Sequence, residues 1–599
     1  MAFGGWQWQW QWQWQWQWQW QWQWQWQWQW QWQPSHVHER QHAADLGRVR
    51  KGPHLLGMTE GGTLVDGVVE TDTGRVAGQW SGGTWSFLGV PYASAPTGRR
   101  RFHPPVPPTP WAGIRPCNAF GPIAPQLTSV GGLSMTGGPE ERDEDCLTLN
   151  VWSPALDDNR RPVLVWVHGG SFTSGSGSGV LYRGGLLARE ADAVVVTCNY
   201  RLGALGFLAH PVLAEDTTGE PWCGGPAWRG WGNWGLADQV AVLAWVRDNV
   251  AGFGGDPGNV TIFGESAGGM SVSALLAVPE ARGLFHRAIV ESGPPAVHDA
   301  STAIERAERI VAAAGIRLER RALADVPVNA LVTATAEVGR SLGPGDGIPL
   351  PLLPVVDGGL LDDHPTTAVA AGSAAEVPLL VGTNRDESAF FALGDVTVRT
   401  IDDAGVHRWA ATVLGSDDAA AAAVDAYRRA RLRRGERVSS LDVWVALATD
   451  LAFRLPTERL ADAHATAHTT SVTEGVGTYV YYFTWPSPFL GGRLGACHAL
   501  EIPFVFGAVA DPAVQMFTGG GNDALELSAA MRRFWGAFAR YGVPAPGEQV
   551  WPAWVPGERP TMVLGPWPDD PDVLWRPVDG PRHEELAVLA EVVGEGGAR

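Results

Sequence analysis

NVTIFGESAGGMSVSALLAV, residues 259–278, reads as a buried strand, a sharp turn and a helix in direct succession. Asn259 to Phe263 is a short, mostly apolar and β-branched run, and from Ala267 onward the small and aliphatic residues suit a helix. Between them, Gly264-Glu265-Ser266-Ala267-Gly268 matches G-x-S-x-G, in which flanking glycines allow a strained turn to lift a serine hydroxyl above a sheet edge. In a chain with 75 glycines one chance match is expected, and Gly339-Arg340-Ser341-Leu342-Gly343 is a second. Context separates them. Ser341 ends a helical pattern and runs into the loop Gly343-Pro344-Gly345, whereas Ser266 has a strand before it and a helix after it. Ser266 is therefore the candidate nucleophile, with helix N-cap as its bland alternative.

The same texture continues outward. Pro162 to His168, Ala193 to Tyr200, Arg287 to Glu291 and Pro378 to Gly382 are near-continuous apolar runs, as expected of strands buried on both faces. Leu236 to Phe253 is a crossover helix with Val242, Leu243, Val246 and Val250 on one stripe. This alternation predicts an α/β fold with a mostly parallel central sheet flanked by helices. Residues 301–468 are Ala-rich and helical in texture, including Asp417 to Arg431 and Leu441 to Ala465, and read as a helical cap or side subdomain. Strand texture returns at Thr478 to Trp485 and helix texture at Leu525 to Tyr541. The arginines between Arg428 and Arg437 read most simply as a solvated helix end.

Composition excludes several classes. Lys plus Arg number 44 against 63 Asp plus Glu, a formal net charge of −19, which is the wrong sign for phosphate-driven nucleic-acid binding. No apolar run is long enough to span a bilayer. Five cysteines without a CxxC pair suggest neither a disulfide scaffold nor a structural zinc site, and no cofactor or metal is expected. From Trp6 to Gln33 the chain is an uninterrupted Trp-Gln repeat, too polar to span a membrane and lacking the parts of a secretory signal. The tract is expected to be a repeat artefact, a tandem six-base repeat read in frame, with translation starting at Met58. Residues 1–57 are thus expected to be disordered or foreign to the native protein, and residues 58–599 to form one catalytic domain. His36, His38 and His42 have loosely metal-like spacing but no carboxylate or Cys framework around them.

Several stretches together resemble the type-B carboxylesterase and cholinesterase-like family of α/β hydrolases. They are Glu144-Asp145-Cys146-Leu147-Thr148-Leu149-Asn150-Val151, His168-Gly169-Gly170-Ser171-Phe172, Asn199 to Phe207, Phe253-Gly254-Gly255-Asp256-Pro257, the elbow itself, Gly382 to Glu387, and His498 to Gly507. The resemblance runs from about Leu64 to Glu585 and implies a serine hydrolase acting on a small-molecule carboxylic ester.

A serine hydroxyl needs an imidazole to take its proton, and the imidazole needs a carboxylate to fix its tautomer. The resemblance implies His498 as the base, in a loop flanked by Gly495 and Cys497. The carboxylate should follow a strand between serine and histidine, which Asp386-Glu387 satisfies; the resemblance favours Glu387, with Asp386 as the alternative. An oxyanion hole needs preorganised N–H donors. Ala267 supplies one by its place after the nucleophile, and the resemblance implies Gly170 and Ser171 for the others, Ser171 standing where a third glycine is commoner. His168 and Gly169 are expected to shape that loop. Glu265, Ser292 and Glu501 are expected to support the imidazole, their alternative being a network needed only for stability.

Departures from the family narrow the reading. Cys146 lacks its usual partner, because Gly121-Pro122-Ile123-Ala124-Pro125-Gln126 has no cysteine, so a reduced buried thiol and a cytoplasmic location are expected. Leu127 to Asp143 holds no aromatic residue, which argues against choline esters and toward enzymes similar to the bacterial para-nitrobenzyl esterases. The insertion Gly219 to Trp231 carries Trp222, Trp228 and Trp231 and reads either as part of the pocket mouth or as a surface loop. An amide or carbamate hydrolase with the same machinery, and a binding protein on the same fold, are the alternatives. The sequence does not disclose the oligomeric state.

Overall fold

Arg161–Val167 is buried at every position, as a run of Val, Leu and Trp must be when helices cover both faces of its sheet. The computed structural model describes residues 67–127, 141–214, 222–225, 228–343, 350–469, 476–545, 551–568 and 570–594. Leu64–Arg599 forms one compact unit. The Trp-Gln tract, the three histidines after it and Met58 lie outside the described residues, as do residues 128–140.

Fourteen strands are seen among the described residues. They are β1 (Val68–Thr71), β2 (Gly74–Ala77), β3 (Gln79–Ser81), β4 (Thr84–Pro91), β5 (Ile114–Pro116), β6 (Thr148–Ser153), β7 (Arg161–Val167), β8 (Val194–Cys198), β9 (Gly255–Glu265), β10 (Arg287–Glu291), β11 (Leu379–Asn384), β12 (Thr478–Phe483), β13 (Pro560–Leu564) and β14 (Trp575–Asp579). β1, β2 and β5 make a small sheet, and the other eleven a large one in the order β14-β13-β12-β11-β10-β9-β7-β8-β6-β4-β3. Its middle, from β13 to β8, is parallel. Antiparallel strands close both margins. This is the doubly covered, mostly parallel sheet of an α/β hydrolase. The registers Val167↔Gly264, Glu291↔Glu265 and Glu291↔Gly382 align the carboxyl ends of β7, β9, β10 and β11, where open α/β sheets bind ligands.

Three readings from sequence change here. The crossover helix, Trp234–Asn249, is buried almost all round rather than along one stripe, with only Arg247 and Asp248 exposed, because it is packed on every side. The stretch expected as one helix over Leu441 to Ala465 is interrupted: Ser440–Thr449 passes through a π-helical turn, Asp450–Arg454, into Leu455–Thr469. The arginines after Arg428 are only in part a solvated end: Arg429, Arg433 and Arg437 are exposed, but two others are not. Arg431 is buried, and Arg434 pairs with Glu436, Glu584 and the fully buried Glu585, joining helix Asp417–Arg433 to the last helix, His583–Val593. β11 also divides the span 301–468, with helices before it and after it. No helix among the described residues is long and apolar enough to cross a membrane.

Candidate active site

Ser266 sits between β9 and helix Ala267–Leu275 at φ 55° and ψ −124°, a backbone conformation that costs about 1–3 kcal/mol and persists only where its surroundings over-determine it. Those surroundings are backbone. The Ser266 N–H donates to the Glu291 carbonyl at 2.9 Å, and the Met270 N–H donates to the Ser266 carbonyl at 2.8 Å. The glycines two residues either side make the turn fit: a Cβ on Gly268 would lie 1.9 Å from the Val167 carbonyl oxygen, and one on Gly264 2.6 Å from it. Ser341, the rival match, is the last residue of helix Val328–Ser341 and donates to the Val338 carbonyl at 2.7 Å.

His498 lies in the irregular segment before helix Ile502–Phe506 and is 4% exposed. Its Nδ1 is 2.7 Å from Glu387 Oε2, and Glu387 Oε1 accepts the Asn384 N–H at 2.7 Å. Asp386 has a different task. Its Oδ2 accepts the Ala496 N–H at 2.9 Å and its own N–H donates to the Ala496 carbonyl at 2.8 Å, so it clamps the histidine segment while Glu387 meets the ring. The other face of the imidazole meets a carboxylate too: Nε2 is 3.1 Å from Glu265 Oε1. No hydrogen bond joins His498 to Ser266 among the described residues.

The loop after β7 turns sharply. Gly170 has φ 115°, and a Cβ there would lie 2.1 Å from the Ser174 carbonyl oxygen, so only glycine fits. Ser171 follows at φ 56° and Phe172 at φ 57°, left-handed angles that glycine adopts more readily. The turn is closed by Thr173 and Ser174 N–H groups donating to the Gly170 carbonyl at 3.0 and 2.9 Å. The N–H of Ala267, first in its helix, has no intrahelical acceptor. His168 shapes this loop: it is buried, stacks on Tyr200 at 4.4 Å and has Nδ1 2.8 Å from the Gly169 carbonyl, and burial pulls its pKa down to about 4.

Behind the imidazole, Ser292 Oγ donates to Glu501 Oε1 at 3.3 Å, and Asn384 Nδ2 donates to Glu501 Oε2 and, at 2.8 Å, to the Cys497 carbonyl. Burial opposes charge on Glu265, Glu501 and His498. It pushes the Glu265 and Glu501 carboxyls up, the latter further because of Glu387. It pulls His498 down, but Glu265, Glu387 and Glu501 together outweigh it, and the imidazole is raised above its ordinary range.

Sequence reasoning missed the aromatic wall of this site. Phe390, Phe391 and Phe453 surround the imidazole with ring centroids at 6.3, 5.0 and 5.1 Å. The two phenylalanines at 390 and 391 were discoverable, since they lie three and four residues after Glu387 on helix Ser388–Gly394 and so return to its side. Phe453 was not, because the π-helical turn that presents it left no mark in the periodicity. Asn384, within the Gly382 to Glu387 stretch, ties β11 to the histidine segment, a role its sequence neighbours do not signal. Trp222 is buried with its ring 5.2 Å from Trp228, which in turn is 5.2 Å from Trp234, so the described part of that insertion packs on the core. All five cysteines, Cys146 included, are unpaired. No group of three or more His, Cys, Asp or Glu among the described residues is arranged to hold a metal.

Comparison with known proteins bears on the family and the fold. The profile of the carboxylesterase family matches residues 65–569. The para-nitrobenzyl esterase of Bacillus subtilis (strain 168) is 37% identical over 503 residues, covering 83% of this chain and 94% of that one. The phenmedipham hydrolase of Pseudarthrobacter oxydans is 33% identical over 529 residues, 87% of this chain and 99% of that one. Among solved structures, carboxylesterase EST55 of Geobacillus stearothermophilus superposes with a TM-score of 0.73 at 36% identity, covering 87% of this chain and 99% of that chain.

Proposed function

The chain belongs to the carboxylesterase family and is a carboxylic ester hydrolase, and from that premise we propose that it works by acyl transfer through Ser266, His498 and Glu387. One observation carries this reading: the imidazole is held through Nδ1 by Glu387, which leaves Nε2 as the basic atom beside the elbow. At rest Nε2 faces Glu265 Oε1, so reaction requires it to exchange that partner for the serine hydroxyl. Ser266 Oγ then attacks the ester carbonyl as Nε2 takes its proton, and the N–H groups of Gly170, Ser171 and Ala267 receive the oxyanion. Nε2 returns the proton to the departing alcohol. Water, deprotonated by the same nitrogen, attacks the acyl carbon, and Nε2 returns the proton to Ser266 Oγ as the acyl bond breaks and the acid leaves. Glu265, Ser292 and Glu501 support the ring throughout.

The three phenylalanines around the imidazole favour neutral, apolar esters over charged ones. The unpaired cysteines suit a reducing compartment, in keeping with a cytoplasmic enzyme. In the deciding experiment Ser266→Ala is assayed on graded para-nitrophenyl esters alongside matched amides and carbamates. We expect kcat/KM on the preferred ester to fall by at least about 10³-fold with an unchanged circular dichroism spectrum. Undiminished hydrolysis in that variant would overturn the reading.

A further inference from the structure

Four carboxyl groups, those of Glu265, Glu291, Glu387 and Glu501, share one buried cluster with the His498 imidazole, and none is more than 2% exposed. Four carboxylates against one imidazolium would leave three uncompensated charges in a buried site, so some must hold protons. The hydrogen bonds sort them. Glu387 accepts on both oxygens, from Asn384 and His498, as a carboxylate does. Glu501 also accepts on both, from Ser292 and Asn384. Glu265 faces His498. Glu291, at the end of β10 in register with Glu265, differs from all of these. Its Oε1 accepts from Trp535 Nε1 at 2.7 Å, while its Oε2 is buried and has no donor.

Among the described residues, the groups acting on Glu291 supply no cation. From β9 comes Glu265, from the segment before helix Ile502–Phe506 Glu501, and from helix Asn522–Tyr541 the neutral Trp535. On β12, Tyr481 is under the influence of all four carboxyls, and its hydroxyl is likewise buried without a partner. Ser292, next in the chain, gives its proton to Glu501.

We propose that Glu291 is a positioning residue held as a carboxylic acid, its Oε1 accepting from Trp535 and its Oε2–H turned toward the Glu501 carboxylate, so that Glu501 keeps its charge behind His498. Burial and the two neighbouring anions act on Glu291 in the same direction, raising its pKa. The consequence for the reaction passes through two groups: a donor on Glu501 stabilises its anion, and that anion in turn favours the imidazolium. This step rests on His498 being the base.

Two variants and two measurements test it. Glu291→Gln keeps an acceptor for Trp535 and an N–H donor in place of the acid, whereas Glu291→Leu removes both. Difference infrared spectroscopy of Glu291→Gln against the unmodified enzyme should show loss of one carboxylic-acid carbonyl band at neutral pH. The acid limb of the kcat/KM profile should stay in place in Glu291→Gln and move down by about one pH unit in Glu291→Leu, where Glu501 protonates more readily and the imidazolium loses an anion. Absence of the band overturns the proposal, as does an equal shift in both variants or no shift in either. Should Glu291→Leu fail to fold, the band and profile of Glu291→Gln decide alone. An unmodified enzyme that shows the band but cleaves no ester would sink the functional reading and leave the protonation of Glu291 standing.

Discussion

Ser266 and His498 are brought to the same edge of the sheet by opposite means. The serine turn is gripped by carbonyl oxygens of β7 and β10, with glycines where a Cβ would collide. The imidazole has hardly any backbone grip of its own. It is steered by Glu387 and Glu265; Asn384 holds Glu387 in turn, and Asp386 clamps the histidine segment through Ala496. Backbone packing makes the nucleophile rigid and indifferent to pH, whereas side chains and charge make the base adjustable. Damage to the packing around the serine, as distinct from loss of its hydroxyl, should therefore register as lost stability, and damage to the supports of the base as lost rate or a moved pH profile.

The largest effect falls on the base half. Glu387→Gln should lower kcat about 10³- to 10⁴-fold with no change in melting temperature beyond a few degrees, because the amide can favour the wrong tautomer without altering the shape; a small rate loss would mean that Asp386 does the orienting. In the elbow half, Gly268→Ala must move either the helix or β7, at a cost of about 3 kcal/mol, read as a lower urea midpoint at constant slope. An unchanged midpoint would show the elbow to be softer than its packing suggests. The smallest effect sharpens the contrast. The rate needs a neutral imidazole, so activity rises with pH through the raised pKa of His498. Glu265→Gln removes an anion that favours the imidazolium, lowers that pKa and moves the acid limb down by about one pH unit. A limb that stays or moves up would show that Glu265 carries no charge at the imidazole.

The two halves also differ in how far they can be read from residues alone. Every constraint that makes Gly264 to Gly268 an elbow is visible in the strand before it and the helix after it, and unbroken apolar runs mark the parallel strands. The supports of the base join distant residues, Asn384 meeting Glu501 across 117 positions and Trp535 meeting Glu291 across 244, as does the helix pairing of Arg434 with Glu585 across 151. Such pairings leave no local pattern. Within Arg428 to Arg437, Arg434 misled for this reason, since Glu584 and Glu585 arrive with the last helix. Likewise the burial of Trp234–Asn249 on all sides reflects what packs over it, a property of neighbours rather than of its own periodicity.

The chain order of these parts has a consequence during synthesis. β9 and its turn leave the ribosome long before β12 and the segment carrying His498, and domains are completed from the N-terminal side at about 5–20 residues per second. A nascent molecule thus spends many seconds owning a serine with nothing to deprotonate it, and a chain stalled or cut short in that interval is chemically inert toward esters.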